Sequence, residues 1–355
     1  MGSESDLYKL ILNIINVIVR KTIKCRIFEP TKLKYDLLNQ EYNNFQIFMK
    51  LESNDLDWIA DKIPIYSVYR QQARLFYANL NSEREYPISI RKDIIEIKKT
   101  NNVIAKYWVR IRIKTKWGGL WLPLKPHTEF PDNFNVCESK LLKKNNDFYI
   151  YITIQKEVEI RKSYSSILAI DIGEKVLATV LLNGRPIFYG REIRGIRRHY
   201  AWLRKRLGER KLLKVIKRLS DKEKRTVNLK LHEISKQIVS LACQHNSLIV
   251  IGNLKGIRKS TRGKKFNRSV SNMPHFRLTQ LITYKANWLG FQIIKIDERG
   301  TSHICSKCGS EGKRINQGLF KCLCGYQANA DFNAVKNIEK RSLEYISKNG
   351  VSVQT

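Results

Sequence analysis

The sequence predicts an α/β protein of more than one domain, and three observations lead to this prediction. The chain has 355 residues, enough for about two domains of ordinary size. Residues 30–80 repeat apolar residues at helical spacing, whereas residues 86–160 contain short β-rich runs. From residue 166 onward, apolar strands alternate with long helical segments. We therefore expect an N-terminal β-barrel with an inserted helical bundle, followed by an α/β domain.

The charge balance is strongly basic. The chain carries 66 Lys and Arg residues against 32 Asp and Glu residues, a formal net charge of +34. Residues 1–60 hold eight basic and eight acidic residues, so the whole excess lies after them. Such an excess favours a polyanionic partner. The hydrophobic fraction of 43% is that of a folded protein and excludes a disordered chain.

Neither a membrane span nor secretion is expected. The apolar stretch at residues 10–19 is too short to span a bilayer, and Asn13 and Asn16 interrupt it. Glu4 and Asp6 stand where a signal peptide would be basic. We expect a cytoplasmic, nucleoid-associated protein (nuclear in a eukaryotic host) that works as a monomer or homodimer.

Changes in patterning divide the chain into four parts. We expect a barrel domain with its helical insertion at about 30–80, an α/β domain in two pieces, a cysteine-rich insertion and a tail. Their bounds are 1–165, then 166–300 with 328–346, then 301–327, and 347–355. In the strand at residues 107–114, basic residues alternate with apolar ones, which places Arg110, Arg112 and Lys114 on one sheet face. That face either is solvated or contacts nucleic acid.

Two later segments concentrate positive charge. Residues 191–225 form a basic helical segment with fifteen Lys and Arg residues and four acidic ones, and a second helix follows at about 226–245. The loop from Lys255 to Asn272 is also basic. These segments favour contact with nucleic-acid phosphates over an ordinary solvated face. The candidate contacts are Arg197, Arg198, Arg204, Lys205, Lys211, Lys214, Lys255, Arg258, Lys264 and Lys265. Trp202 either packs between helices or stacks on a base.

The α/β domain has a recognisable order of elements. Three apolar strands joined by short turns predict an antiparallel meander, and helix, strand, helix, strand and helix follow. This order is typical of an RNase H-like fold. Metal-dependent nucleases on that fold hold two divalent ions with carboxylates at neighbouring strand ends.

Two carboxylates fit such a site. Asp171 ends the first strand, where a buried carboxylate is costly without a partner, so we interpret it as a ligand for Mg²⁺ or Mn²⁺ rather than a turn residue. Asp331 opens the last helix. It either complements the helix dipole or is the second ligand.

Four of the seven cysteines lie close together in the sequence, at Cys305, Cys308, Cys322 and Cys324. Gly309 and Gly325 follow the two pairs and permit tight turns. Four thiolates suit one tetrahedral Zn²⁺ in a closed structural site, with no open position for catalysis. We therefore predict a zinc ribbon inserted in the α/β domain.

Several short motifs together resemble the transposon-associated TnpB (OrfB-type) family over about residues 166–346. They are Asp-Ile-Gly at 171–173, Asn-Leu-Lys-Gly-Ile at 253–257, Tyr-Lys-Ala-Asn-Trp-Leu-Gly at 284–290, Asp-Glu-Arg-Gly-Thr-Ser at 297–302, the four cysteines, and Asn-Ala-Asp-Phe-Asn-Ala at 329–334. The resemblance implies an RNA-guided DNA endonuclease with a RuvC-type domain, related to type V CRISPR effectors. It also implies a guide RNA and a double-stranded DNA target that is cut beside a short target-adjacent motif.

One short run, at residues 252–253, departs from the family pattern. Gly252 and Asn253 stand where the resemblance implies the second acid. Either the nuclease is inactive and the protein is an RNA-guided DNA-binding repressor, or Glu298, at the end of the adjoining strand, replaces that acid in the space left by Gly252. The alternative for Glu298 is a surface acid paired with Arg299. We favour a catalytic set of Asp171, Glu298 and Asp331.

A DNA-strand transferase with a tyrosine nucleophile is not expected. Such an enzyme would need a histidine-rich metal site beside the tyrosine. The chain has six histidines, and no two of them form a His-x-His pair.

Overall fold

The computed structural model describes residues 16–77, 80–81, 83–253, 274–316, 318–349 and 352–353. The chain divides into two compact units. One unit is Ile18–Glu157, and the other holds the residues from Val158 onward together with Asn16 and Val17. Among the described helices, none combines the length and apolar composition needed to cross a bilayer.

Within its described residues, the first unit combines one sheet with three α-helices. The helices are α1 (Lys32–Glu52), α2 (Asp57–Ala60) and α3 (Ser67–Phe76). The strands are β1 (Asn16–Ile27), β2 (Ile88–Ile90), β3 (Ile95–Lys99), β4 (Tyr107–Ile113), β5 (Lys116–Pro126), β6 (Asn135–Val136), β7 (Ser139–Lys144) and β8 (Asp147–Glu159). Their order is β2-β7-β8-β1-β5-β4-β3, with β6 also paired to β8. The helices lie between β1 and β2 in the chain, within the predicted insertion at 30–80.

Glu41 of α1 ties the helices to the sheet. This carboxylate is buried, and it accepts hydrogen bonds from the backbone N–H groups of Tyr66 (2.6 Å) and Lys114 (2.9 Å). Burial raises the pKa of Glu41. A buried carboxylate needs such partners, so these bonds hold α3 and the β4–β5 turn against α1.

The second unit is built on a five-stranded sheet. Its strands are β10 (Ser166–Asp171), β11 (Ala178–Leu182), β12 (Arg185–Tyr189), β13 (Ser247–Asn253) and β14 (Ile293–Asp297). The order is β12-β11-β10-β13-β14; the pairs among β10, β11 and β12 are antiparallel, and β10, β13 and β14 are parallel. The helices among the described residues of this unit are α4 (Arg191–Glu209), α5 (Leu213–Gln244), α6 (His275–Trp288) and α7 (Ala330–Asn349).

The core of this unit forms where helices pack on the sheet. β10 and β13 are nearly continuous apolar runs and are buried, as expected for strands covered on both faces. Apolar residues of the helices join the same core, among them Ile238 of α5, Leu281 of α6 and Val335 of α7. An α/β architecture is therefore confirmed.

Two features differ from the sequence-based expectation. The break in the basic helical segment falls at residues 210–212 rather than near 225, because Lys211 adopts a left-handed conformation (φ 56°) and the N–H of Leu212 bonds back to the carbonyl of Leu207 (3.0 Å). The segment at 161–165 is more than a polar link, since it contains β9 (Ser163–Tyr164), which pairs with β18 (Ser352–Val353) from the predicted tail.

Candidate metal centre and cysteine site

Asp171, Gly252 and Glu298 lie at one edge of the five-stranded sheet. Since β10, β13 and β14 are parallel neighbours, their carboxyl ends meet at this edge. Asp171 is the last residue of β10, and Glu298 follows directly after β14. Gly252 belongs to β13, which lies between β10 and β14, and pairs with Ile296 of β14. Carboxylates from the two neighbours of β13 thus flank a residue that has no side chain.

The Glu298 carboxylate occupies the space beside Gly252. A Cβ atom placed on Gly252 would lie 2.4 Å from Oε2 of Glu298. That oxygen is buried and accepts no hydrogen bond within the described part of the chain. Burial, followed by the charges of Asp171 and Asp297, raises the pKa of Glu298 to about 8. A buried carboxylate oxygen without a protein partner is available as a ligand for a cation.

Arg299 does not neutralise Glu298. Its backbone N–H donates to Oδ1 of Asp297 (3.1 Å), and its guanidinium lies 3.9 Å from Oδ2 of the same residue. Asp297 is exposed, with 67% of its side-chain surface accessible. Of the two neighbouring acids, Asp297 is therefore the one that is exposed and interacts with Arg299, while Glu298 turns toward the sheet edge.

Asp171 interacts electrostatically with Asp331. Burial and then the charge of Asp331 raise the pKa of Asp171 to about 7, and the nearby Arg314 guanidinium opposes this shift. Two neighbouring carboxylates resist ionising together unless a cation compensates their charge. Mg²⁺ prefers carboxylate oxygens and retains several waters, so Asp171, Glu298 and Asp331 have the donor chemistry to hold it.

Asp331 is held in place by the start of α7. The side-chain oxygen of Asn329 accepts hydrogen bonds from the backbone N–H groups of Asp331 (2.9 Å) and Phe332 (3.1 Å), as a helix N-cap does. Oδ1 of Asp331 lies 2.7 Å from Nη2 of Arg314.

Arg314 was missed by the sequence analysis. It belongs to β15 (Lys313–Asn316) of the cysteine segment, whose sheet also contains β16 (Leu319–Lys321) and β17 (Gln327–Ala328). Its only sequence signal is a Lys-Arg pair between the two cysteine pairs, which does not distinguish it from surface residues. Folding of this segment brings a cation to the acidic edge.

The four cysteines are gathered at one point. Their sulfurs all lie within 4.8 Å of one another. Sγ of Cys305 is 3.8 Å from that of Cys324, and Sγ of Cys308 is 3.6 Å from that of Cys322. A tetrahedral ion with Zn–S bonds of about 2.3 Å separates its sulfurs by about 3.8 Å, so the set fits Zn²⁺. Gly309 and Gly325 have φ values of 80° and 81°, as the tight turns require.

Polar side chains of α7 fasten the cysteine segment to the helix. Asn333 accepts a hydrogen bond from the N–H of Ser306 (2.8 Å) and donates to the carbonyl of Ile304 (2.8 Å). Asn337 donates to the carbonyls of Thr301 (2.8 Å) and Ile304 (2.7 Å). These residues, one helical turn apart, connect the cysteine site to the helix that carries Asp331.

The sequence-predicted basic residues of the first unit lie on and beside β4. Arg110 and Arg112 share the outward face of the strand, whereas Lys114 lies in the turn after it. Arg110 pairs with Glu96 (2.5 Å), and its guanidinium lies 5.6 Å from the centre of the Trp121 ring. The predicted face therefore holds two of the three residues, and one of the two is already paired.

The basic residues predicted on the helices of the second unit fall into two groups. Arg198, Lys205, Lys211 and Lys214 are exposed. Arg204 pairs with Glu223, and Arg197 is partly buried, with a lowered pKa caused by burial. The remaining predicted contacts lie outside the described residues; they are Lys255, Arg258, Lys264 and Lys265.

Comparisons with known proteins point to one group of relatives. A family model described as "Cas12f1-like, TNB domain" matches residues 275–338, which include the four cysteines. A TnpB-like protein of Methanocaldococcus jannaschii is 29% identical over 225 residues, covering 59% of this chain and 79% of that protein. The chain is a relative of TnpB-like proteins. The resemblance noted in the sequence is thereby confirmed.

The same comparisons find the larger Cas12f proteins. The CRISPR-associated endodeoxyribonuclease Cas12f1 of Sulfoacidibacillus thermotolerans is 32% identical over 237 residues, which cover 60% of this chain. The matched region spans 55% of that protein and 40% of Cas12f2 from a Micrarchaeota archaeon, so it corresponds to about half of these relatives. A crystal structure of AacC2c1 with sgRNA and extended non-target DNA aligns with a TM-score of 0.52 at 8% identity, over 77% of this chain and 57% of that one. That alignment shows a shared fold.

Proposed function

We propose that this protein is an RNA-guided DNA endonuclease of the TnpB type, which cuts DNA beside a short target-adjacent motif. The observation that carries the proposal is the position of Glu298. Its carboxylate fills the side-chain space of Gly252 and faces the edge where Asp171 ends its strand. The acid implied by the family resemblance at position 252 is thus replaced from the neighbouring strand.

The nuclease core would be RNase H-like and comprise residues 166–300 and 328–346. Three antiparallel strands followed by two parallel ones, with helices between them, support this assignment. The zinc ribbon would be residues 301–327, with one structural Zn²⁺ on the four thiolates. Residues 1–165 would form the barrel domain that, with its helical insertion, holds guide RNA and reads the target-adjacent motif.

Asp171, Glu298 and Asp331 would hold two Mg²⁺ or Mn²⁺ ions. When bound, such a pair activates the attacking water and stabilises the leaving oxygen of a phosphodiester. The protein's own contribution is to hold Asp171 and Glu298 at one sheet edge and to bring Asp331, at the start of α7, near enough to interact with Asp171. The pKa values of Asp171 and Glu298 are raised, and a bound cation would favour the ionised form of both carboxylates at neutral pH. Arg314 is placed to neutralise Asp331 in the metal-free protein.

Sequence specificity would come from base pairing between guide and target strand, as in RNA-guided effectors generally. The exposed basic residues of α4 and α5 would contact backbone phosphates. Binding should then weaken steeply as salt concentration rises.

The test is to purify the protein, sequence its bound RNA, and measure Mg²⁺-dependent cutting of a duplex that matches the guide. We expect cutting by the native protein and none by Glu298→Ala. Asp297→Asn is the matched control, since this exposed acid lies one residue away and should be dispensable. Equal cutting by native protein and Glu298→Ala would refute the assignment of Glu298.

The second candidate function is a nuclease-inactive, RNA-guided DNA-binding repressor. It is favoured by Gly252 standing at the position of the implied acid. Guide-dependent binding of the matching duplex, with no cutting by the native protein in Mg²⁺ or Mn²⁺, would select this function.

A further inference from the structure

One face of α4 carries a row of stacked side chains that point away from the core. The rings of His199 and Trp202 lie 6.4 Å apart, at an interplanar angle of 26°. The guanidinium of Arg206 lies 5.2 Å from the centre of the Trp202 ring. All three residues are exposed, and Trp202 retains 53% of its accessible surface.

This row lies opposite the face by which α4 packs on the sheet. Ile193 and Tyr200 are buried, and Ile196 packs against the core. Trp202 follows Ile193 by nine residues, which at about 100° per residue is half a turn around the helix. Trp202 therefore takes no part in the packing of α4 on the sheet.

Gly195 continues the same face one turn before His199. Glycine inside a helix lowers the free energy of unfolding by about 0.5–1 kcal/mol relative to alanine, so we expect Gly195 to have a structural or functional role. A Cβ atom placed on Gly195 would have no atom within 4 Å, so no described part of the protein requires the absence of a side chain. The opening beside His199 leaves room for a ligand to approach the helix backbone.

The positive charge of α4 around this row favours a negatively charged ligand. α4 has seven Lys and Arg residues against Glu192 and Glu209. Exposed aromatic rings surrounded by positive charge match a polyanion that also carries flat aromatic rings. Exposed aromatic rings next to arginine are the stacking platforms on which proteins bind single-stranded nucleic acid.

We propose that Gly195, His199, Trp202 and Arg206 form a stacking platform for unpaired bases of a nucleic acid. A base stacks on the exposed part of the Trp202 ring, while the sugar-phosphate backbone passes over Gly195. This inference rests on the proposed function in one respect, that the ligand is a nucleic acid. It requires neither a guide RNA nor cleavage of DNA.

The test measures binding of the 355-residue chain, freed of copurified nucleic acid, to a 12-nucleotide adenine oligomer and to a matched oligomer with abasic positions. The two oligomers carry the same phosphates, so the ratio of their affinities reports base stacking alone. The native protein should bind the base-containing oligomer about 5- to 100-fold more tightly. Parallel series with RNA and DNA oligomers show which strand binds.

Four variants locate the effect. Trp202→Ala should bring the ratio close to one, and Trp202→Phe, which keeps a ring, should retain most of it. Phe276→Ala removes another exposed aromatic ring, on α6 (68% accessible), and should leave the ratio unchanged. Gly195→Leu should lower the ratio without lowering the melting temperature, because the added side chain meets solvent and not protein.

An unchanged ratio in Trp202→Ala, or an equal loss in Phe276→Ala, would overturn the proposal. If Trp202→Ala leaves the affinity ratio unchanged but alters the oligomeric state measured by light scattering, the proposal is wrong and this face of α4 is a contact between protein chains. Guided cutting is a separate assay, so its failure would refute the endonuclease and leave the binding result intact.

Discussion

The carboxylate of Glu298 stands where a side chain of Gly252 would be. A Cβ atom on Gly252 would lie 2.4 Å from Oε2 of Glu298 and 3.1 Å from Cδ1 of Ile338, so the two residues share one side-chain volume. The parallel register of β13 and β14 produces this relationship, because it pairs Gly252 with Ile296, two residues before Glu298. The observed position of the Glu298 carboxylate thus requires glycine at position 252.

The first prediction concerns moving this acid between strands. Gly252→Ala should displace Glu298 and reduce Mg²⁺-dependent cutting by at least about 10- to 100-fold, the loss expected when the support of a metal ligand is disturbed. Glu298→Ala should abolish cutting. Combining Glu298→Ala with Gly252→Glu returns an acid to the same volume and should restore measurable activity.

Cutting rates of the three variants on one guided duplex give the answer. If Gly252→Ala cuts the duplex as fast as the native protein, Glu298 is not required in its observed position. A double variant as inactive as Glu298→Ala would show that the shared volume is not the place where the ligand acts.

The second prediction is a pH-dependent stabilisation by Mg²⁺. The pKa values of Asp171 and Glu298 are raised to about 7 and about 8, so the metal-free folded state holds these protons more tightly than the unfolded chain. The resulting stability is fully present below about pH 4 and is lost as pH rises through 7 and 8. Mg²⁺ needs ionised ligands, so the rise in melting temperature that it causes should grow from pH 6 to pH 9.

Thermal melting with and without Mg²⁺ at several pH values measures this effect. Glu298→Gln should show a smaller Mg²⁺-induced rise. Asp297→Asn should keep the full rise, but at a somewhat lower pH, because one of the charges that raises the pKa of Glu298 is removed. A rise that does not vary with pH would argue against ligation by these two carboxylates.

The third prediction concerns the four cysteines. The purified protein should contain one Zn²⁺ per chain, and Cys322→Ser should lose it together with the structure of residues 301–327. Cutting should then fall, because Arg314 and the contacts of Asn333 depend on that segment. Metal analysis and hydrogen exchange of the segment measure the loss. Cys243→Ser, an exposed cysteine on α5, should keep both zinc and activity.

The fourth prediction tests the connection between α7 and the cysteine segment. Asn337→Leu would leave the carbonyls of Thr301 and Ile304 without this donor, at a cost of about 1–3 kcal/mol in the free energy of unfolding. Urea unfolding measures the change. Glu344→Gln, an exposed substitution on the same helix, should alter stability by less than about 0.5 kcal/mol. Equal effects of the two variants would contradict a role for Asn337.

Much of the candidate site could be predicted from local sequence. The cysteines were recognisable because zinc ligands follow short, fixed spacings. Asp171 was recognisable because an acid at the end of an apolar strand is unusual. Arg314 and Asn337 were not, since a basic residue or an asparagine has the same local pattern whether it is solvated or pairs with a distant group. The break at Lys211 was missed because Leu-rich basic sequence continues on both sides of it.

The sequence by itself determined which residue types were available: apolar runs for a mixed sheet, four thiolates for one metal, and acids near strand ends. These properties act over a few residues, so they can be read in order along the chain. Only the tertiary structure decided that Glu298 fills the volume of Gly252 and that Arg314 reaches Asp331. Those contacts depend on strand register and on the docking of the cysteine segment against α7, which arise when residues far apart in the chain are packed into one core.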